Sequence, residues 1–79
     1  MQSFFDRRGP KLDTSLPSVR HLQDLIRNRT QVIVTMMGGQ ELQGTLHWQD
    51  SEFLALRQAH DHAPVLLNRH LLMMLRSLT

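Results

Sequence analysis

The sequence predicts a mainly β fold in which one N-terminal α-helix is followed by a five-stranded antiparallel sheet. Three observations carry this prediction. The spacing of apolar residues changes from a period of about 3.6 to a period of 2 near Thr30. Gly38-Gly39 and Asp50-Ser51 then cut the alternating stretch at short intervals, as tight turns between strands do. Finally, two nearly all-apolar runs, residues 65–67 and 71–75, flank the polar triplet Asn68-Arg69-His70.

The first 14 residues contain Phe4, Phe5, Arg7, Arg8, Gly9 and Pro10 without any period, and read as a flexible tail ahead of a single domain spanning residues 15–79. The helix is expected to start at Ser15 as N-cap, with Pro17 in the first turn, where a missing N–H costs little. Val19, Leu22, Leu25 and Ile26 form its apolar stripe, and Arg20, Gln23 and Arg27 its polar face. It should fail between Asn28 and Thr30. Val32, Val34 and Met36 then alternate with Ile33, Thr35 and Met37, and after Gly38-Gly39 a second strand alternates Leu42, Gly44, Leu46 and Trp48 with Gln43, Thr45 and His47. A glycine within a strand, Gly44, signals a sharp bend or a close backbone approach. Residues 53–57 read as a short third strand, residues 58–64 as a polar loop, and the two apolar runs as the fourth and fifth strands.

Those last runs have no polar face, which implies burial on both sides. A sheet this small cannot supply that cover from one chain. Leu66, Leu67, Leu71, Leu72, Met73 and Met74 are therefore expected to form a subunit interface. A buried C-terminal helix is the alternative, since Leu and Met favour helix.

Composition points the same way. A chain of 79 residues buries only about 60% of its unfolded surface. There is no cysteine, so neither a disulfide nor a thiolate metal site can staple it, yet 41% of its residues are hydrophobic. Sharing a core with further copies of itself is the plainest source of stability. Nine cations exceed seven anions by two, and all but Lys11 are arginine, whose planar fork suits phosphate and stacks on bases. No apolar run approaches the length of a membrane span. Arg7-Arg8 is not followed by the apolar segment of a twin-arginine signal, so a cytoplasmic location and no membrane insertion are expected.

Catalytic signals are missing: there is no nucleophile elbow, zinc-protease motif or phosphate-cradling glycine loop. His60-Asp61-His62 invites a metal reading but lacks a partner cluster, and reads as a solvated loop. No catalytic role, metal or cofactor is expected. What remains is basic: Arg20, Arg27 and Arg29 on and after the helix, and Arg69-His70 on the turn between the last strands. Groups in such places bind phosphate oxygens, and a ring would repeat each of them around its axis.

The element order and the residues together resemble the Hfq branch of the Sm-like RNA-binding family. Residues 31–57, with Gly39, Leu42-Gln43-Gly44 and Asp50, look like its first Sm motif. Residues 64–77, with Asn68-Arg69-His70, look like its second, Arg69-His70 standing for the usual Lys-His. Leu16-Pro17-Ser18-Val19-Arg20 and Trp48-Gln49-Asp50 are similar to the cyanobacterial form. The resemblance covers residues 15–78. It implies a strongly bent sheet forming a small open barrel, and a toroidal homohexamer whose last two strands pair between neighbours.

The resemblance also implies RNA contacts at three places. At the pore these are Arg69 and His70, with Ser18, Ser51 and Glu52 where the family carries a Gln near the helix start and a Gln-Phe pair. On the opposite face Gln43 is retained, while Thr35 and Glu41 replace an aromatic and a basic residue. At the rim the arginine cluster is reduced to Arg27 and Arg29, beside Ile26 and Asn28. A lost stacking platform removes about 1–3 kcal/mol per base, so weak RNA affinity is implied, in a post-transcriptional regulator of RNA-chaperone type. The cyanobacterial group is also associated with the type IV pilus assembly ATPase and motility, which gives a second expectation: a protein-interaction ring.

Overall fold

The computed structural model describes residues 12–78. The aromatic and arginine pairs expected in the tail, Phe4-Phe5 and Arg7-Arg8, lie outside the described residues. Helix α1 spans Pro17–Arg27, followed by β1 (Gln31–Met36), β2 (Glu41–Gln49), β3 (Phe53–Arg57), β4 (Val65–Asn68), a single 3-10 turn (Arg69–Leu71) and β5 (Leu72–Ser77).

The helix starts one residue later than its expected cap. Leu16 is the N-cap and contributes no side-chain hydrogen bond, while Pro17 opens the first turn. Ser15 is instead engaged backwards: its N–H and its hydroxyl donate to Asp13 Oδ1 at 2.9 and 2.6 Å. These two bonds hold the Asp13 carboxyl below its ordinary value of 3.8. The pre-fixed φ of Pro17 replaces a polar cap.

The helix ends where β-branched residues begin. Arg29 N–H donates to the Ile26 carbonyl at 3.2 Å and Thr30 N–H to the Leu25 carbonyl at 3.1 Å. That is the Schellman pattern, which needs a left-handed residue between helix and strand. Arg29 occupies that position with φ 51°, where glycine is usual. A side chain there costs about 1–2 kcal/mol.

All five strands form one antiparallel sheet in the order β4-β3-β2-β1-β5. The C-terminal runs are strands and not a helix, and both lie at sheet edges. Their boundaries shift slightly from the sequence pattern: Asn68 belongs to β4, and Leu71 to the turn. Gly38 and Gly39 adopt φ 101° and 92° in the β1–β2 turn, a conformation open to glycine at little cost. At Gly44 a Cβ would collide with the Arg57 carbonyl oxygen, so only glycine lets β2 and β3 approach this closely. Register shifts between Leu46 and Trp48 and between Thr35 and Met36 mark bulges, which increase local twist.

The core lies between α1 and one sheet face. Val32, Val34, Leu46, Leu54 and Leu56 are fully buried, joined by Leu22 and Leu25 from the helix and Leu67 from β4. Each such side chain contributes about 1.5–3 kcal/mol by leaving water. Leu67 thus belongs to the core of the single chain, and Leu72 and Leu75 pack partly against it. Leu66, Leu71, Met73 and Met74 do not: they are 50, 44, 64 and 51% exposed. Among the described residues no helix is long and apolar enough to cross a membrane.

Candidate nucleic-acid interface

The turn between the two edge strands is closely tied. The Asn68 side chain accepts from His70 N–H at 2.9 Å, and Arg69 N–H donates to the Glu52 carbonyl at 2.8 Å. The Arg69 guanidinium is engaged within the chain: one arm donates to the Asp50 carbonyl at 2.7 Å, the other to Gln49 Oε1 at 2.8 Å. Gln49 passes the connection on, donating to the Val19 carbonyl and to Gln23 Oε1 at 3.2 and 3.0 Å. Arg69 therefore clamps the β2–β3 turn and, through Gln49, the first turns of the helix.

Asp50 organises the same corner. Its Oδ1 accepts from Phe53 N–H and Glu52 N–H, both at 2.8 Å. Those bonds hold its carboxyl below the ordinary 3.8, with Arg69 adding a smaller attraction.

His70 projects outward. Its Nε2 lies 3.7 Å from Glu52 Oε1, and the two side chains are 67 and 55% exposed. The acid at the position of the family's aromatic therefore faces the histidine of the turn. Ser51 is half-buried beside it, and Ser18 is exposed at the helix start. The structure thus brings Arg69, His70, Ser51 and Glu52 together, with the helix start near them.

Arg27 and Arg29 stand apart, the first in the last turn of the helix and the second just beyond it. Arg27 forms an exposed ion pair with Asp24 at 2.7 Å. Gln43 groups with neither the turn nor the helix; its amide donates to Gln31 Oε1 at 3.4 Å on the sheet face turned away from the core. Glu41 is exposed, and Thr35 Oγ1 is buried without a hydrogen-bond partner.

Arg29 meets residues that sequence reasoning did not select. A cleft of about 330 Å³ is lined by Arg29, Gln31, Thr45, His47, Arg57 and His60, with Gln58 and Ala59. Thr45 and Arg57 are register partners, and His47 sits at the β2 bulge. Strand register and the bulge bring Arg29, Gln31, Thr45 and His47 to the continuous segment 57–60. His60, considered above for a metal, faces this cleft. Among the described residues no three His, Cys, Asp or Glu side chains are placed to hold a metal ion.

A helix-capped five-stranded antiparallel sheet with a histidine-bearing turn between its edge strands defines a small Sm-like module. The sequence profile described as Hfq related matches residues 16–77. The chain belongs to that family, a branch of the Sm-like RNA-binding proteins whose members are not enzymes. The crystal structure of an Hfq protein from Anabaena sp. superposes with a TM-score of 0.70 at 24% identity, over 78% of this chain and 97% of that one. That of the pleiotropic translational regulator Hfq gives 0.72 at 17% identity, over 84% and 97%. At these identities the likeness is one of fold. No curated protein matches the sequence.

Proposed function

We propose that this protein is a cytoplasmic post-transcriptional regulator that assembles as a homohexameric ring, the sheet curving into a small open barrel in each subunit, and binds RNA weakly. The observation that carries the assembly is the pair of open edges. β4 and β5 each have one unpaired side, and Leu66, Leu71, Met73 and Met74 are exposed on or beside them. Pairing β4 of one copy with β5 of the next would satisfy both edges head to tail, and a rotation that closes gives a ring. Light scattering should give about six times the 9.2 kDa chain mass. Met73→Asp should dissociate the assembly, because a carboxylate buried without a partner costs several kcal/mol. A monodisperse parent monomer refutes the ring.

His70 is the pore contact in this reading. Arg69 acts chiefly by shaping the turn, and Arg27, Arg29 and Gln43 contribute away from the pore. Weak affinity follows from the carboxylate of Glu52 beside His70, whose negative charge repels RNA phosphate. The same pair, with the occupied guanidinium of Arg69, favours a second reading: a ring that docks on the type IV pilus assembly ATPase and supports motility. RNA and protein pull-downs from one native lysate separate the two. RNA recovery lost in His70→Ala supports the regulator. Recovery of the ATPase without RNA, unaffected by that change, supports docking.

A further inference from the structure

His70 and Glu52 bring one imidazole and one carboxylate, from two separate turns, to the same open space. His70 Nε2 and Glu52 Oε1 are 3.7 Å apart, and the two side chains are 67 and 55% exposed. That spacing is too long for a hydrogen bond. It is close to the spacing of two ligands on one metal ion: bonds of about 2.1 Å at a tetrahedral angle set nitrogen and oxygen about 3.4 Å apart. Exposed side chains can close the small difference. Among the described residues no other histidine is paired with a carboxylate.

The backbones beneath both groups are already fixed. Glu52 N–H donates to Asp50 Oδ1 at 2.8 Å, and the Glu52 carbonyl accepts from Arg69 N–H at 2.8 Å. His70 N–H, the next along, donates to Asn68 Oδ1 at 2.9 Å. A ligand therefore has only two exposed side chains to order, which lowers the entropic cost of binding. The charge of this corner also suits a cation. The Arg69 guanidinium is turned back to the Asp50 carbonyl and Gln49, and its charge offsets the Asp50 carboxylate. Glu52 is left as the unbalanced charge of the corner.

We infer that His70 and Glu52 form a binding site for a divalent transition-metal ion of the Zn2+ class. One imidazole nitrogen with one carboxylate oxygen is a donor set that suits Zn2+, whereas Mg2+ and Ca2+ take oxygen ligands. One chain contributes two ligands, and its described residues place no third His, Cys, Asp or Glu in reach. Two protein ligands leave open positions on the ion, which water or a phosphate oxygen fills. The ion also cancels the Glu52 charge. In the pore reading proposed above, it turns a repulsive carboxylate into a phosphate-binding cation, repeated around the ring. That consequence rests on the pore reading; the ion site itself requires only one chain.

The test titrates the full-length, tag-free chain with ZnCl2 by calorimetry, without RNA, alone and in a large excess of MgCl2. The expected result is saturable Zn2+ binding near one ion per chain, undiminished by Mg2+. Glu52→Gln and His70→Gln each remove one ligand from an exposed pair, so each should weaken binding by about tenfold or more with the fold intact. The double variant His60→Asn, His62→Asn removes the two histidines that flank Asp61 in the loop, and should bind Zn2+ as the parent does. A parent that does not bind Zn2+ overturns the proposal, as does binding that survives both Glu52→Gln and His70→Gln or is lost in the loop variant. Displacement of Zn2+ by Mg2+ overturns the class of ion. A second arm follows the anisotropy of a short U-rich RNA in Zn2+ and in EDTA. Tightening by Zn2+ in the parent but not in His70→Gln supports the coupling to RNA. A parent that binds Zn2+ with its RNA affinity unchanged refutes that coupling and the pore contact, while the ion site stands.

Discussion

Replacing Arg69 with alanine tests whether the turn residue is a clamp or a free cation. The guanidinium makes two charge-assisted hydrogen bonds, to the Asp50 carbonyl at 2.7 Å and to Gln49 Oε1 at 2.8 Å. Such bonds are worth about 1.5–3 kcal/mol each when dry. The turn is only half-buried, so water can replace part of each, and about 1 kcal/mol per bond is the better figure. Arg69→Ala should then cost about 2 kcal/mol, or roughly 10 °C in melting temperature for a domain of this size. Arg69→Lys, with a single ammonium for two separated acceptors, should lose about half as much. His70→Ala, whose exposed side chain comes no closer than 3.7 Å to the Glu52 carboxylate, should stay within about 0.5 kcal/mol of the parent. The assay is thermal unfolding by circular dichroism at one protein concentration, since assembly makes the midpoint concentration-dependent. An Arg69→Ala midpoint indistinguishable from the parent, or a His70→Ala loss equal to it, refutes the clamp. The result also decides how RNA data are interpreted. If Arg69 is a clamp, only the His70 variant reports on contact with RNA.

Three further outcomes follow from the same geometry. Gly44→Ala drives a Cβ into the Arg57 carbonyl and should destabilise the fold by about 3 kcal/mol, near the upper end for overpacking, because the obstacle is backbone; an unchanged denaturation midpoint would show that β2 and β3 are not this close. The Asp50 carboxyl is held below its ordinary 3.8, so its contribution to stability is fully present above that value and is lost as pH falls through the lower, folded value. Asp50→Asn should therefore unfold less steeply as the pH falls below the ordinary carboxylate value, while parallel acid curves for variant and parent would refute the assignment. Glu52→Phe should raise affinity for a short U-rich RNA at low salt at least tenfold, by restoring a stacking surface and removing a like charge near phosphate. Unchanged anisotropy curves with the ring intact would mean that Glu52 does not lie on the RNA surface.

The sequence by itself determined the element order, the turns and part of the core. Helix and strand periodicities are local, and they marked Val19, Leu22 and Leu25 on one side and Val32, Val34 and Leu46 on the other, as the buried pattern bears out. The close approach at Gly44 was legible too, because a glycine within a strand has few other uses. The helix cap was misplaced, since Ser15 and Leu16 both precede Pro17 and the backward bond from Ser15 to Asp13 is a choice between two local partners.

The tertiary structure alone decided three things. It divided the C-terminal apolar run, sending Leu67 into the core and leaving Leu66, Met73 and Met74 outside; a run with no polar face carries no alternation to show which side is which. It showed that the Arg69 fork is occupied by Asp50 and Gln49, about 20 residues earlier in the chain, a pairing that depends on where two turns meet in space. And it assembled the cleft of Arg29, His47, Arg57 and His60 from four separate elements. Strand register and a bulge bring those residues together, and neither can be read from residue types alone, because a shift of one residue turns every side chain to the opposite face.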